Sequence, residues 1–178
     1  MSRLKPRPTK PTHFVNNPLG QEGKSMRLVV AAVIEREDRR LLIGQRRRED
    51  TSPLKWEFPG GKVEEGERPQ EALARELREE LGVTLIRSVP LGSVKHQYAG
   101  QQEMLEIQFY AAAIAEPDAR PEKFERIAWV LPRELGDYDF LAANAQLVAN
   151  LATGRIRPGE ILEREQGGRT GLPVPPEA

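Results

Sequence analysis

From Leu28 the chain reads Leu-Val-Val-Ala-Ala-Val-Ile to Ile34, an unbroken apolar run rich in β-branched residues. Such a run predicts a strand covered on both faces. Glu35-Arg36-Glu37-Asp38 turns the chain, and Leu41-Leu42-Ile43 returns as a second strand. The period then changes. Leu73, Leu77 and Leu81 recur every four residues, the spacing of an amphipathic helix. Pro69 sits near its first helical position, where a missing amide hydrogen costs nothing, and Gly82 suits a left-handed cap at its end. Further on, Arg87 to Tyr98 has partial strand character. Met104 to Ile114 alternates, with Leu105, Ile107, Phe109, Ala111 and Ala113 on one face. Phe124 to Val130 is a further strand, and Ala142 to Ala152 a second helix carrying Leu147, Val148 and Leu151. Strands interspersed with two helices predict an α/β fold with a mixed sheet covered on both faces.

Composition marks off the ends. Pro6, Pro8, Pro11 and Pro18, with Arg3, Lys5, Arg7, Lys10 and Lys24, make residues 1–26 a flexible basic arm. Glycine and proline return from Gly154, so residues 154–178 read as a flexible tail. The domain proper is expected at 27–153. Lysine plus arginine equals aspartate plus glutamate at 27 each, so global charge points to no nucleic-acid or membrane partner. The chain has no cysteine, which excludes disulfides, thiolate metal sites and thiol nucleophiles. No secretory signal or membrane-length apolar run is present, and the expected compartment is the cytoplasm.

Charge changes the picture most on the first helix. At about 100° per residue, Glu76, Glu79 and Glu80 share one stripe beside the leucines, at the margin of a buried face. Like charges so placed repel, and more strongly when partly desolvated. A solvated acidic face is the commoner explanation of Glu-x-x-Glu-Glu alone. A set of hard oxygen ligands without cysteine or nearby histidine instead favours Mg2+, with Mn2+ as a substitute. Ahead of the helix lies Gly60-Gly61-Lys62, where backbone can approach a ligand closely. Arg46, first of three consecutive arginines leaving a strand, is the candidate phosphate clamp with Lys62. Arg75 is an internal counter-charge to the stripe. Of Trp56 and Phe58, one is expected in the core and one against a base, with Phe58 the preferred base neighbour.

Gly61, Glu67, Arg75-Glu76, Glu79-Glu80 and Gly82 together resemble the signature of the Nudix hydrolases at every fixed position. Seven residues at roughly 6–7% frequency each match by chance on the order of once in 10⁸ starting points. The resemblance spans about residues 27 to 153. It implies an α/β/α sandwich, with metal held by Glu76, Glu79, Glu80 and the carbonyl of Gly60. It also implies that Glu67 ties the loop to the helix, and that Glu76 occupies the position discussed as general base. A further acid would come from the loop before the late strand, either Glu122 or Glu125, with Glu122 preferred.

Leu54 to Glu64 looks like the MutT-type branch, which cleaves nucleoside triphosphates to monophosphate and pyrophosphate. Asn144 is similar in place to the asparagine that this branch presents to the base of 8-oxo-dGTP. Its other reading is a helix cap. The expected partner is therefore a nucleotide, and the expected assembly a monomer or homodimer. Rival readings are a different Nudix substrate (ADP-ribose, a dinucleoside polyphosphate, an RNA 5′ end) or a non-catalytic nucleotide sensor. Sensors of this kind lose signature carboxylates, and this chain keeps them all.

Overall fold

The computed structural model describes residues 26–116 and 118–167. The basic arm up to residue 25 and the proline-rich end from residue 168 lie outside the described residues. The elements run β1 (Met26–Ile34), β2 (Leu41–Gln45), β3 (Trp56–Glu57), β4 (Gly60–Lys62), α1 (Pro69–Leu81), β5 (Leu85–His96), β6 (Met104–Ile114), β7 (Arg126–Val130), α2 (Ala145–Ala152) and α3 (Pro158–Gly167). A four-stranded mixed sheet has the order β4-β1-β6-β5, and a three-stranded sheet the order β3-β2-β7. Within the larger sheet β1 runs parallel to β6 and antiparallel to β4.

Alternation along β1 assigns its side chains to two cores. Ala31 and Val33 pack with Trp56, Phe58, Phe109, Leu147 and Leu151 on one side. Val30, Ala32 and Ile34 pack with Leu73, Leu77 and Leu81 of α1 on the other. Both faces of the strand are thus buried, as its continuous apolar run requires.

Helix α1 begins and ends where its sequence says. The Arg68 N–H donates to the Glu71 carboxylate at 3.0 Å, Pro69 follows, and Gly82 takes φ 67°. The Gly82 N–H donates to the Arg78 carbonyl at 3.0 Å, closing a helix end whose carbonyls have no intrahelical partner.

Two features differ from the sequence reading. Ala142–Asn144 forms a 3-10 turn, so α2 starts at Ala145 rather than at Ala142. Residues 158–167, expected in the flexible tail, form α3 against β5 and β6 with Leu162 buried. Pro158 occupies a first-turn position, the same role that Pro69 plays in α1. The Gly159 N–H donates to the buried carboxylate of Glu35 at 2.9 Å, and Arg39 holds that carboxylate from the other side at 2.8 Å.

Candidate active site

The site is assembled where β4 pairs with β1. Gly60 faces Ala31 and Gly61 faces Val30 across the antiparallel ladder, and the Ala32 N–H donates to the Pro59 carbonyl at 2.8 Å. Gly60 has φ 151°, and a Cβ there would overlap the Val30 carbonyl oxygen and lie 2.7 Å from the Ala31 Cα. Only glycine passes that closely. The glycine strand in turn fixes the acids of α1. Glu80 accepts the Gly60 N–H at 2.8 Å, and the Glu76 carboxylate lies directly against Gly61.

Arg75 knots the loop to the helix. It donates to both carboxylate oxygens of Glu67, each at 3.0 Å, to the Lys62 carbonyl at 3.0 Å and to Glu76 at 2.8 Å. The bidentate contact thus goes to Glu67 and a single bond orients Glu76. That arginine holds the Glu67 carboxyl below the usual carboxylate range, chiefly through the hydrogen bonds it donates.

Each glutamate of the stripe has its own surroundings. Glu76 is 13% exposed. Glu79 lies on the outer flank, 41% exposed, paired with Lys123 from the loop before β7 and 3.5 Å from Arg75. Its carboxyl is held low, chiefly by the Lys123 hydrogen bond. Glu80 is pushed up to about 8 by burial, and the nearby Glu57 and Glu76 carboxylates add to this against the Gly60 N–H. Among the described residues no three acids converge on one point.

The donor set nonetheless fits a hard divalent cation. Glu57 and Glu76 place negative charge around Glu80, and Glu76, Glu79 and Glu80 all act on Lys123, so a cation held there would favour the charged form of Glu80. Glu122 does not reach the stripe. Its carboxylate turns toward Gly82 and its carbonyl accepts from Arg47 at 2.6 Å. Glu125 pairs with Arg48 at 3.6 Å. The loop residue that does arrive is Lys123.

A cleft of about 980 Å³ opens beside these residues, and Gly60, Gly61, Lys62, Glu57, Glu80 and Arg46 line it. Phe58, Tyr98 and Asn144 line the same cleft. Lys62 makes no ion pair among the described residues and is exposed. Arg46 is more committed. It donates to Glu57 at 2.9 and 3.0 Å and to the Thr51 carbonyl at 2.8 Å.

Trp56 and Phe58 are both buried in the same core, Trp56 edge-on against Tyr138 at 5.0 Å and Phe58 5.5 Å from Phe140 between ring centroids, and Phe58 also borders the cleft. Asn144 is 5% exposed, and its side chain makes no capping bond to α2. The capping role is therefore not realised, and the buried Asn144 lines the cleft.

Glu57 is the residue that sequence reasoning missed. Burial raises its carboxyl and Arg46 opposes that shift. Trp56 and Phe58 turn to one core, and Glu57 between them turns the other way, an arrangement that the two residues of β3 are too few to announce.

Residues 25–151 match the NUDIX domain family. The chain is a Nudix hydrolase. Its relatives include a protein named CTP pyrophosphohydrolase from Escherichia coli, 32% identical over 133 residues, covering 74% of this chain and 96% of the relative. Another is a Salmonella newport protein named nucleoside triphosphatase NudI, 35% identical over 133 residues, covering 69% and 94%. Among solved structures, a MutT Nudix hydrolase from Burkholderia pseudomallei superposes with a TM-score of 0.61 at 28% identity, covering 70% of this chain and 97% of that one.

The contact between Gly61 and Glu76 gives this Nudix hydrolase a test that separates chemistry from folding. A Cβ at Gly61 would lie within 2.7 Å of both Glu76 carboxylate oxygens, and the end of a flexible side chain can move aside at little cost. Gly61→Ala is expected to lower turnover at least tenfold while shifting the urea midpoint little. Parallel kinetics and urea titrations check this; wild-type turnover in the variant would show that the Glu76 position does not matter.

Proposed function

We propose that the protein hydrolyses a nucleoside triphosphate to the monophosphate and pyrophosphate, with Mg2+ as cofactor, Mn2+ as a substitute and 8-oxo-dGTP as the favoured substrate. The observation that carries this reading is the lining of the cleft: Glu57, Glu80 and Lys62, which makes no ion pair among the described residues, share it with Phe58 and Asn144. A phosphoric anhydride resists attack because its anionic oxygens repel a nucleophile. A divalent cation, when bound by Glu76, Glu79, Glu80 and the Gly60 carbonyl, supplies neutralisation of that charge.

The remaining work falls to side chains of the chain itself. Lys62 faces the polyphosphate, with Arg46 beside it. Arg75 keeps the Glu76 carboxylate oriented, and Glu76 accepts the proton of the attacking water. Phe58 packs against the base, and the Asn144 amide offers one donor and one acceptor to a purine edge. Glu57, between Arg46 and Glu80, joins the phosphate end of the site. The catalytic unit is residues 27–153.

A panel of 8-oxo-dGTP, dGTP, CTP and other triphosphates with Mg2+, read by product identity, tests the reaction. Release of orthophosphate alone, or no turnover on any member, rejects it. CTP is included because the Escherichia coli relative is named for it. Asn144→Ala is expected to reduce the preference for 8-oxo-dGTP over dGTP by about tenfold without abolishing hydrolysis. An unchanged ratio of kcat/KM removes the base-reading role from Asn144.

A further inference from the structure

Lys123 stands where the sequence predicts a carboxylate. Among the described residues, the ion pairs of the acid stripe involve two cations. Arg75, on the helix itself, is locked by its bonds to Glu67, Glu76 and the Lys62 carbonyl. Lys123 comes from a different element and has one carboxylate partner, Glu79, with 48% of its side chain exposed. A lysine is a compact point charge on a flexible stem, and such a pair exchanges readily.

The loop that carries Lys123 is anchored without its ammonium. The Arg120 N–H donates to the Leu81 carbonyl at 2.9 Å, and the Lys123 N–H to the Glu80 carbonyl at 3.3 Å. Arg47 holds the Glu122 carbonyl, and Phe124 is buried against Gly44. The ammonium is therefore not needed to place the loop, and its contact with Glu79 is an electrostatic one.

We propose that Lys123 is a displaceable internal counter-cation that competes with a divalent cation for the Glu79 carboxylate and swings out when that cation binds. The inference rests on the reading of Glu79 as a metal ligand given above. Divalent affinity is then set by an exchange of one cation for another, and lowered by the cost of moving Lys123. Once released, the ammonium stands at the rim of the carboxylate cluster.

The test is direct Mn2+ binding, followed by the electron paramagnetic resonance signal of free Mn2+, on the full-length protein and three variants. Lys123→Gln is expected to bind Mn2+ about five- to tenfold more tightly than wild type. Lys123→Arg, which keeps the charge, should stay within about twofold. Arg78→Gln removes an exposed charge from the same helix away from the contact, and should also stay within about twofold. The Mn2+-induced rise in thermal midpoint should be larger in Lys123→Gln than in wild type, following its tighter binding.

Unchanged or weaker Mn2+ affinity in Lys123→Gln overturns the proposal, and a fall in thermal midpoint alone would assign Lys123 a merely structural role. Equal tightening in Arg78→Gln overturns it as well, by showing a diffuse charge effect. If wild type binds Mn2+ and the variants do not differ, only this inference fails. If neither wild type nor any variant binds Mn2+, the metal assignment fails with it.

Discussion

Glu79→Gln is expected to reduce turnover by about a thousandfold or more while the protein remains folded. The substitution keeps the shape of the side chain and removes its charge. Glu79 contributes nothing to either apolar core, and its carboxylate lies on the outer flank of α1 with Lys123 and Arg75 as neighbours. Losing an exposed ion pair changes stability little. A neutral amide, however, is a far weaker ligand for a hard divalent cation than a carboxylate. The effect should therefore appear in kcat, with the far-ultraviolet circular dichroism spectrum and thermal midpoint close to wild type. Full activity in this variant would remove Glu79 from the metal site. Activity restored by raising Mg2+ or Mn2+ would instead locate the loss in cation binding rather than in the chemical step.

How far the sequence anticipates this site depends on the range of each interaction. Helix α1 is legible because its leucine period, Pro69 and Gly82 are local signals that agree. The resemblance to the Nudix signature implies that Glu67 ties the loop to the helix, but that its partner is Arg75, read in the sequence as counter-charge to the acid stripe, emerges only from the structure. Strand β1 announces burial on both faces by its unbroken apolar run. By contrast, β3 is two residues long, too short for a period, and its membership of a second sheet depends on β2 and β7, which are remote in sequence. Glu57 is hidden for the same reason.

Charge sign alone is a poor guide to the loop before β7. Glu122 and Glu125 flank Lys123, and which of the three turns to α1 is decided by contacts of Arg47, Arg48 and Phe124. No pattern within that loop encodes the outcome. Helix α3 escapes a reading of the sequence because Gly154 and Pro158 have the composition of a tail. Its docking depends on Glu35, which lies 124 residues earlier than Gly159.

Gly60→Ala is expected to be the most destabilising single-methyl change in the site, costing on the order of 3–5 kcal/mol and abolishing activity. Two causes act together. The backbone at φ 151° lies where side-chain-bearing residues are strained. The added carbon also meets backbone, the Val30 carbonyl and the Ala31 Cα, rather than a side chain that can rotate away. Relief requires opening the pairing of β4 with β1, which also withdraws the Gly60 N–H from Glu80. Gly66 provides the control. It has φ 80° but no atom within 4 Å of the place a Cβ would take, so Gly66→Ala costs only the backbone strain of about 1 kcal/mol. Urea unfolding of the two variants separates the two causes. Gly60→Ala should show a much lower midpoint than Gly66→Ala, and equal midpoints would mean that β4 can leave β1 at little cost. In that case the close approach of the glycine strand would not be what positions Glu80, and the geometry of the proposed metal site would have to be held by α1 alone.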